Sequence, residues 1–286
     1  MSDTLEREAP AAQTTSRFVE FDGLRIHYDE AGAGPALIFV HGGGPGSSGL
    51  SNFSRNMAAF ADRYRVIAID LPGYGQSTKL KIVEPLWGYY AKVLAGFIDA
   101  LGLKKAHLVG NSLGGAASLK TALDFPEKVD RLVLMGPGGG YSLFEKQPSD
   151  GIRSLVSFYL PPGPSLERLK AFLGYLVYDP SCVPEELLKE RLERALDPET
   201  AEFMPLRVGP NMAPIGDLWR ERLDRLPHQT LIIWGREDRV NPMDQGLILM
   251  RQIPNARFLV MPQCGHWVQW EKADEFNRTV AAFLGS

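Results

Sequence analysis

The chain has 286 residues, 44% apolar and 23% charged, a mixture that excludes a disordered or fibrous protein and allows one large domain or two small ones. With 31 Lys and Arg against 34 Asp and Glu the formal charge is −3, so no general attraction to nucleic acid or to an anionic membrane is expected. No run approaches the roughly 18 apolar residues that a membrane helix needs. The opening segment MSDTLEREAPAAQTTSR is polar, lacks the apolar block of a secretory signal, and reads as a mobile head, so a cytoplasmic location is expected. Cys182 and Cys264 stand in neither a CxxC pair nor a metal-ligand cluster. They are read as free thiols, and no metal is expected.

In chain order, Phe18 to Tyr28 predicts two short strands about an Asp22-Gly23 hairpin turn. Six β-branched runs follow, at 36–40, 65–70, 106–110, 131–135, 230–234 and 256–260. Helical patterns fit between several of them, at Trp87 to Leu101, Leu113 to Asp124 and Asp244 to Arg251, and a last one runs from about Ala273 to Leu284. Strand, crossover helix, strand is the α/β rhythm of a buried parallel sheet. Between Met135 and Thr230 only helical patterns broken by Pro and Gly appear. This interval is read as a helical lid over about 139–226, dividing the core into 1–138 and 227–286, with GPGGG at 136–140 as a hinge.

The strongest chemical signal is Gly110-Asn111-Ser112-Leu113-Gly114, set between a predicted strand and a predicted helix. It matches the G-x-S-x-G nucleophile elbow, in which small residues permit a sharp turn that exposes the serine beside the Leu113 amide. A serine hydroxyl needs a base, and the base an orienting carboxylate. Of five histidines, His27 and His107 lie at strand positions, His41 opens a glycine loop and His228 precedes a strand. His266, in the loop CGHW, follows the last predicted strand and an acidic loop in the chain order nucleophile, acid, histidine. Glu237 and Asp238 in WGREDRVNP are both candidates for the acid. The loop His41-Gly42-Gly43-Gly44-Pro45-Gly46 can offer backbone N–H groups to a developing oxyanion, together with that of Leu113. No phosphate- or dinucleotide-binding pattern accompanies it.

In PEELLKERLERALD (184–197), Arg191 falls on the apolar side of the helical wheel, between Leu187 and Ala195. An inward guanidinium requires an anionic ligand, an intramolecular ion pair or a snorkelling stem. Periodicity alone leaves these open.

HGGGPG (41–46), SNFSRN (51–56), GNSLGG (110–115), LVLMGPGG (132–139), WGREDR (234–239) and CGHWVQWEKADEFN (264–277) together resemble the α/β hydrolases that cleave meta-ring-fission products at a carbon–carbon bond. The similarity runs nearly end to end. It implies an α/β-hydrolase fold with a mostly parallel eight-stranded sheet, helices on both faces and a helical lid insertion. It further implies hydrolysis of a 2-hydroxy-6-oxohexa-2,4-dienoate to 2-hydroxypenta-2,4-dienoate and a carboxylic acid, without cofactor, by a homo-oligomer. By the same resemblance Ser112 is the nucleophile, His266 the base and Asp238 its orienting acid. Gly43 and Leu113 form the oxyanion hole, and Arg191 holds the dienoate carboxylate with Asn111, Asn52 and Trp267 beside it. Leu155, Phe158, Phe172, Tyr175 and Leu176 are expected to shape the subsite for the departing acid. The alternatives are an ester or lactone hydrolase with the same triad and a non-catalytic ligand receptor, since a fold does not dictate its substrate.

Overall fold

The computed structural model describes residues 13–285; the N-terminal head read from the sequence lies, for residues 1–12, outside them. Strands β1 (Thr15–Phe21) and β2 (Leu24–Ala31) form the expected antiparallel hairpin. Its turn residues Asp22 and Gly23 both adopt positive φ, 48° and 74°, which is why a short polar residue and a glycine stand there. The strands β3 (Ala36–Val40), β4 (Arg65–Ile69), β5 (Ala106–Asn111), β6 (Val129–Met135), β7 (Thr230–Gly235) and β8 (Ala256–Met261) complete one sheet of order β1-β2-β4-β3-β5-β6-β7-β8. β2 joins β4 antiparallel, and every pairing from β4 to β8 is parallel.

Helices α1 (Gly49–Phe53) and α2 (Met57–Phe60) follow β3, α3 (Leu86–Ala100) follows β4, and α4 (Leu113–Asp124) follows β5. Four more, α5 (Asp150–Ser157), α6 (Leu166–Leu176), α7 (Glu185–Leu196) and α8 (Pro198–Phe203), lie between β6 and β7, where no strand forms. α9 (Asp244–Gln252) connects β7 to β8, and α10 (Val268–Glu271) and α11 (Ala273–Leu284) close the chain. The short helices α1, α2 and α10 were not legible, because four or five residues are too few to display a 3.6-residue period.

Alternate residues of the central strands enter two separate cores. Ile38, Val40, Ile67, Ile69, Leu108, Leu132, Leu134 and Ile232 face α3 and α4. Leu37, Phe39, Val66, Ala68, Val109, Val133, Leu231 and Ile233 face α1, α2 and α11. Burial on both faces explains why these strands read as continuous apolar runs rather than as alternating ones. β8 departs from the expectation of full burial: it is an edge strand, and only Met261 in it is buried. No helix among the described residues is long and apolar enough to cross a membrane.

Candidate active site

β5 ends at Asn111 and α4 begins at Leu113, so Ser112 alone turns the chain from strand to helix. It does so at φ 53° and ψ −113°, a conformation costly for a residue with a Cβ and held only where surrounding contacts enforce it. Those contacts are main-chain bonds. The Ser112 amide donates to Met135 O at 2.8 Å, and Ser112 O accepts from the amides of Ala116 and Gly138, each at 3.0 Å. A Cβ on Gly110 would sit 2.3 Å from Gly114 O, and one on Gly114 would sit 2.1 Å from Val40 O. Both glycines of the elbow are therefore demanded by backbone-to-backbone contact.

The glycine loop after β3 lies directly against this turn. A Cβ on Gly42 would come 3.4 Å from Ser112 Cβ, and one on Gly43 would come 3.0 Å from Leu113 Cδ1. Gly43 and Leu113, read as the oxyanion donors, are thus neighbours in space. His41 is fully buried; its Nδ1–H donates to Gly42 O at 2.8 Å while its Nε2 accepts from the Leu71 amide at 3.0 Å. Burial lowers its pKa, in keeping with the neutral ring that these two bonds require.

His266 Nδ1 donates to Asp238 Oδ2 at 2.7 Å. The second carboxylate oxygen of Asp238 accepts from the amides of Val240, at 2.8 Å, and Asn241, at 2.9 Å. Glu237, the rival acid, pairs instead with Arg236 and accepts the Cys264 amide at 3.1 Å. Gly136, at the end of β6, has φ 44°, and a Cβ there would meet Asp238 Oδ2 and His266 Nδ1 at 3.0 Å each. The pair therefore packs on the same strand end that receives the Ser112 amide. Ser112 and His266 line one cavity without a direct hydrogen bond, and His266 Nε2 is buried with no partner among the described residues. Such contacts are often loose before substrate is bound.

A second imidazole–carboxylate pair exists. His27 Nδ1 lies 2.8 Å from Asp70 Oδ2, and Ser16 Oγ lies 2.8 Å from His27 Nε2. Ser16 sits exposed on the edge strand β1, away from the glycine loop and the elbow. Surroundings, not the pair itself, separate the two sites.

The cavity is lined by Ser112, His266, Asn52, Asn111, Trp267 and Arg191, among others. Arg191 is 0% exposed. Its Nε and Nη2 donate to Pro45 O at 3.0 and 2.8 Å, Nη2 also to Ser47 Oγ at 2.8 Å, and Nη1 has no partner among the described residues. No carboxylate of the described residues pairs with it, which removes the internal ion pair among the three readings. Its Cζ stands 5.0 Å from the Trp267 ring centre. Burial pushes its pKa down to about 9, aided by Arg194, leaving it a cation at neutral pH. Oδ1 of Asn52 and of Asn111 is likewise buried without a partner.

Of the expected apolar lining, Leu155, Phe172 and Leu176 reach the cavity. Phe158 and Tyr175 do not: Phe158 is buried in the core cluster, and Tyr175 lines a separate groove with Arg153 and Arg168. Sequence reasoning missed Ser47, Leu206 and Val240. Ser47 directly follows the glycine loop, which was a usable signal; Leu206, in a Pro-rich joint, carried none.

Residues 37–279 match the alpha/beta hydrolase family. The chain is 44% identical to a 2-hydroxy-6-oxononadienedioate/2-hydroxy-6-oxononatrienedioate hydrolase of Burkholderia vietnamiensis, over 99% of each chain. It is 43% identical to a 2-hydroxy-6-oxo-6-phenylhexa-2,4-dienoate hydrolase of Burkholderia cepacia, over 96% of this chain and 97% of that one. A solved meta-cleavage product hydrolase from Pseudomonas fluorescens IP01 superposes with a TM-score of 0.84 at 33% identity, covering 94% of this chain and 97% of that chain. The chain belongs to the alpha/beta hydrolase family and, within it, to the meta-cleavage-product hydrolases that act on carbon–carbon bonds.

The loop carrying His266 is held by Glu271, whose carboxylate accepts the amides of Gly265 at 2.8 Å and Tyr178 at 2.6 Å. Burial lifts this carboxyl from 4.5 to about 7, against the lowering effect of those two amides. A raised folded-state pKa contributes stability that is fully present below the unfolded value and lost as pH rises through the folded one. Between pH about 5 and about 8 the urea midpoint of the wild type should therefore fall more than that of Glu271→Gln. Equal falls in the two proteins would assign the pH dependence to another group.

Proposed function

We propose that the chain hydrolyses 2-hydroxy-6-oxohexa-2,4-dienoate-type ring-fission products, with Ser112 as nucleophile, His266 as base and proton shuttle, and Asp238 as its orienting acid. The observation that carries this reading is Arg191: a fully buried guanidinium with a free Nη1, in the same cavity as Ser112 and His266. A buried cation without a counter-ion is costly. The carboxylate at one end of a dienoate supplies the missing partner, and an ester or lactone would not. The free Oδ1 atoms of Asn52 and Asn111 suit the adjacent 2-hydroxyl, and Trp267 forms the wall behind the guanidinium.

The chemistry follows from the bond to be broken. A carbon leaving group must be able to carry an electron pair, so the dienol first ketonises, a proton transfer suited to His266. Ser112 then adds to the 6-ketone, the oxyanion is received by the Gly43 and Leu113 amides, and the C5–C6 bond breaks. Its electron pair goes to the dienoate fragment, which takes up a proton. Water releases the acid, so substrate and one water yield 2-hydroxypenta-2,4-dienoate and the departing carboxylic acid. Losing one oxyanion donor typically costs about 3 to 4 kcal/mol.

Leu155, Phe172, Leu176, Leu206 and Val240 supply the apolar part of the cavity lining, and Arg191 is the one lysine or arginine in it. This supports an aryl or alkyl departing acid over one bearing a second carboxylate. Residues 139–226 act in this reading as a lid, since Leu155, Phe172, Leu176, Arg191 and Leu206 all come from them. Assembly of several copies is part of the proposal, supported by Tyr141, Leu143 and Phe144 at 63%, 71% and 82% exposure on one loop. A cytoplasmic location is supported by the free thiols of Cys182 and Cys264.

Stopped-flow absorbance on the coloured dienoates tests the reading. Ser112→Ala should bind the dienoate and not turn it over, and failure to bind would contradict the separation of binding from chemistry. Arg191→Ala should lower kcat/KM by at least about a hundredfold, as expected for a charge-assisted contact of about 3 kcal/mol; an unchanged value would favour the ester or lactone reading. Substrates with aryl or alkyl ketone ends should exceed ω-carboxylate analogues by at least about tenfold in kcat/KM, because the latter bury an unpaired charge. The reverse order would refute the apolar assignment.

A further inference from the structure

Every carbonyl of the Gly42–Pro45 stretch is held by a donor. Gly42 O accepts from His41 Nδ1 at 2.8 Å and Gly43 O from the Tyr74 hydroxyl at 3.2 Å. Gly44 O accepts from the Ser47 amide at 3.1 Å. Pro45 O takes two bonds, from Nε and Nη2 of Arg191, and Nη2 extends to Ser47 Oγ. In a trans peptide the C=O of one residue and the N–H of the next point in opposite directions. Holding Gly42 O through His41 therefore fixes where the Gly43 amide points, on which an oxyanion hole depends, and holding Pro45 O through Arg191 fixes the Gly46 amide at the far end of the same loop.

Three of these donors belong to the core or to the loop itself; the fourth comes from α7, between β6 and β7. The contact is close. Gly46 has φ 64°, and a Cβ on it would lie 1.9 Å from Arg191 O, so helix and loop meet backbone to backbone. A Cβ on Gly44 would lie 2.9 Å from Arg191 Nη2. Most of the donor capacity of the guanidinium that faces this loop is spent on protein, and only Nη1 is left over.

We infer that Arg191 is a positioning residue for the oxyanion-binding loop in addition to holding the substrate carboxylate, so that the oxyanion hole is complete only when α7 is seated on the loop. The inference rests on Ser112 being the nucleophile. It predicts that Arg191 matters even for a reagent with no carboxylate. A carboxylate-binding role alone predicts that it does not.

The test is the second-order rate constant for phosphonylation of Ser112 by an uncharged alkyl fluorophosphonate, followed by the mass of the Ser112 peptide. The phosphoryl oxygen of the reagent occupies the oxyanion site. Arg191→Gln and Arg191→Lys are compared with the wild type. Lysine keeps the positive charge and loses the two-pronged grip on Pro45 O. Both variants should react at least about tenfold more slowly, within the range for a displaced oxyanion donor, while the pH profile of the reaction stays in place. Wild-type rates in both variants would overturn the inference, as would a slow Arg191→Gln beside a wild-type Arg191→Lys, which would assign the effect to charge. A slowed reaction whose pH profile has also moved would assign it to general disturbance of the site and overturn it too. If Arg191→Gln does not fold, Arg191→Lys decides by the same criteria. A wild type that takes no phosphonate on Ser112 would instead refute the assignment of the nucleophile.

Discussion

The site depends on one backbone constraint, the left-handed conformation of Ser112. A side-chain-bearing residue at φ 53° persists only if its neighbours leave it no alternative. Here the sheet supplies that compulsion: β6 takes the Ser112 amide, and the loop after it binds the carbonyl. β3 approaches so closely that Gly114 cannot carry a side chain. The strain places Oγ at the sheet's carboxyl edge, and the same close approach brings the glycine loop after β3 against the helix start. The exposed Ser112 and the glycine loop beside it are thus two consequences of a single packing requirement.

The second organising feature is a buried charge. Removing a guanidinium from water without a counter-ion is expensive, and a protein retains such a group where it serves a purpose. Arg191 recovers part of the cost through Pro45 O and Ser47 Oγ and through the face of Trp267. Nη1 is buried with no partner among the described residues. Helix α7 is tied by Arg191 to the loop beside Ser112, and the segment following α6 is tied by Glu271 to the loop that carries His266.

Much of the fold was legible because its signals are local. The Asp22-Gly23 turn, the apolar runs of β3 to β7 and the G-x-S-x-G pattern each encode a short-range demand on φ, burial or space, and each appears at the position read for it. Arg191 was legible as inward-facing because helical periodicity requires no knowledge of the partner. The choice of Asp238 over Glu237 rested on the family resemblance and on no local signal. Adjacent loop residues point in different directions, and only the folded chain turns Glu237 toward Arg236 and Asp238 toward His266.

What the sequence determined alone is therefore the class of fold, the turn that bears the serine and the family to which these motifs belong. The tertiary structure decided which histidine–carboxylate pair shares a cavity with that serine, since His27 and Asp70 make a pair of similar geometry elsewhere. It also decided that Arg191 grips Pro45 and Ser47, residues just over half the chain length away. The physical reason is that turn and helix propensities act over a few neighbouring residues. The meeting of distant side chains is set by strand order and by the packing of helices on the sheet edge, which no short window contains.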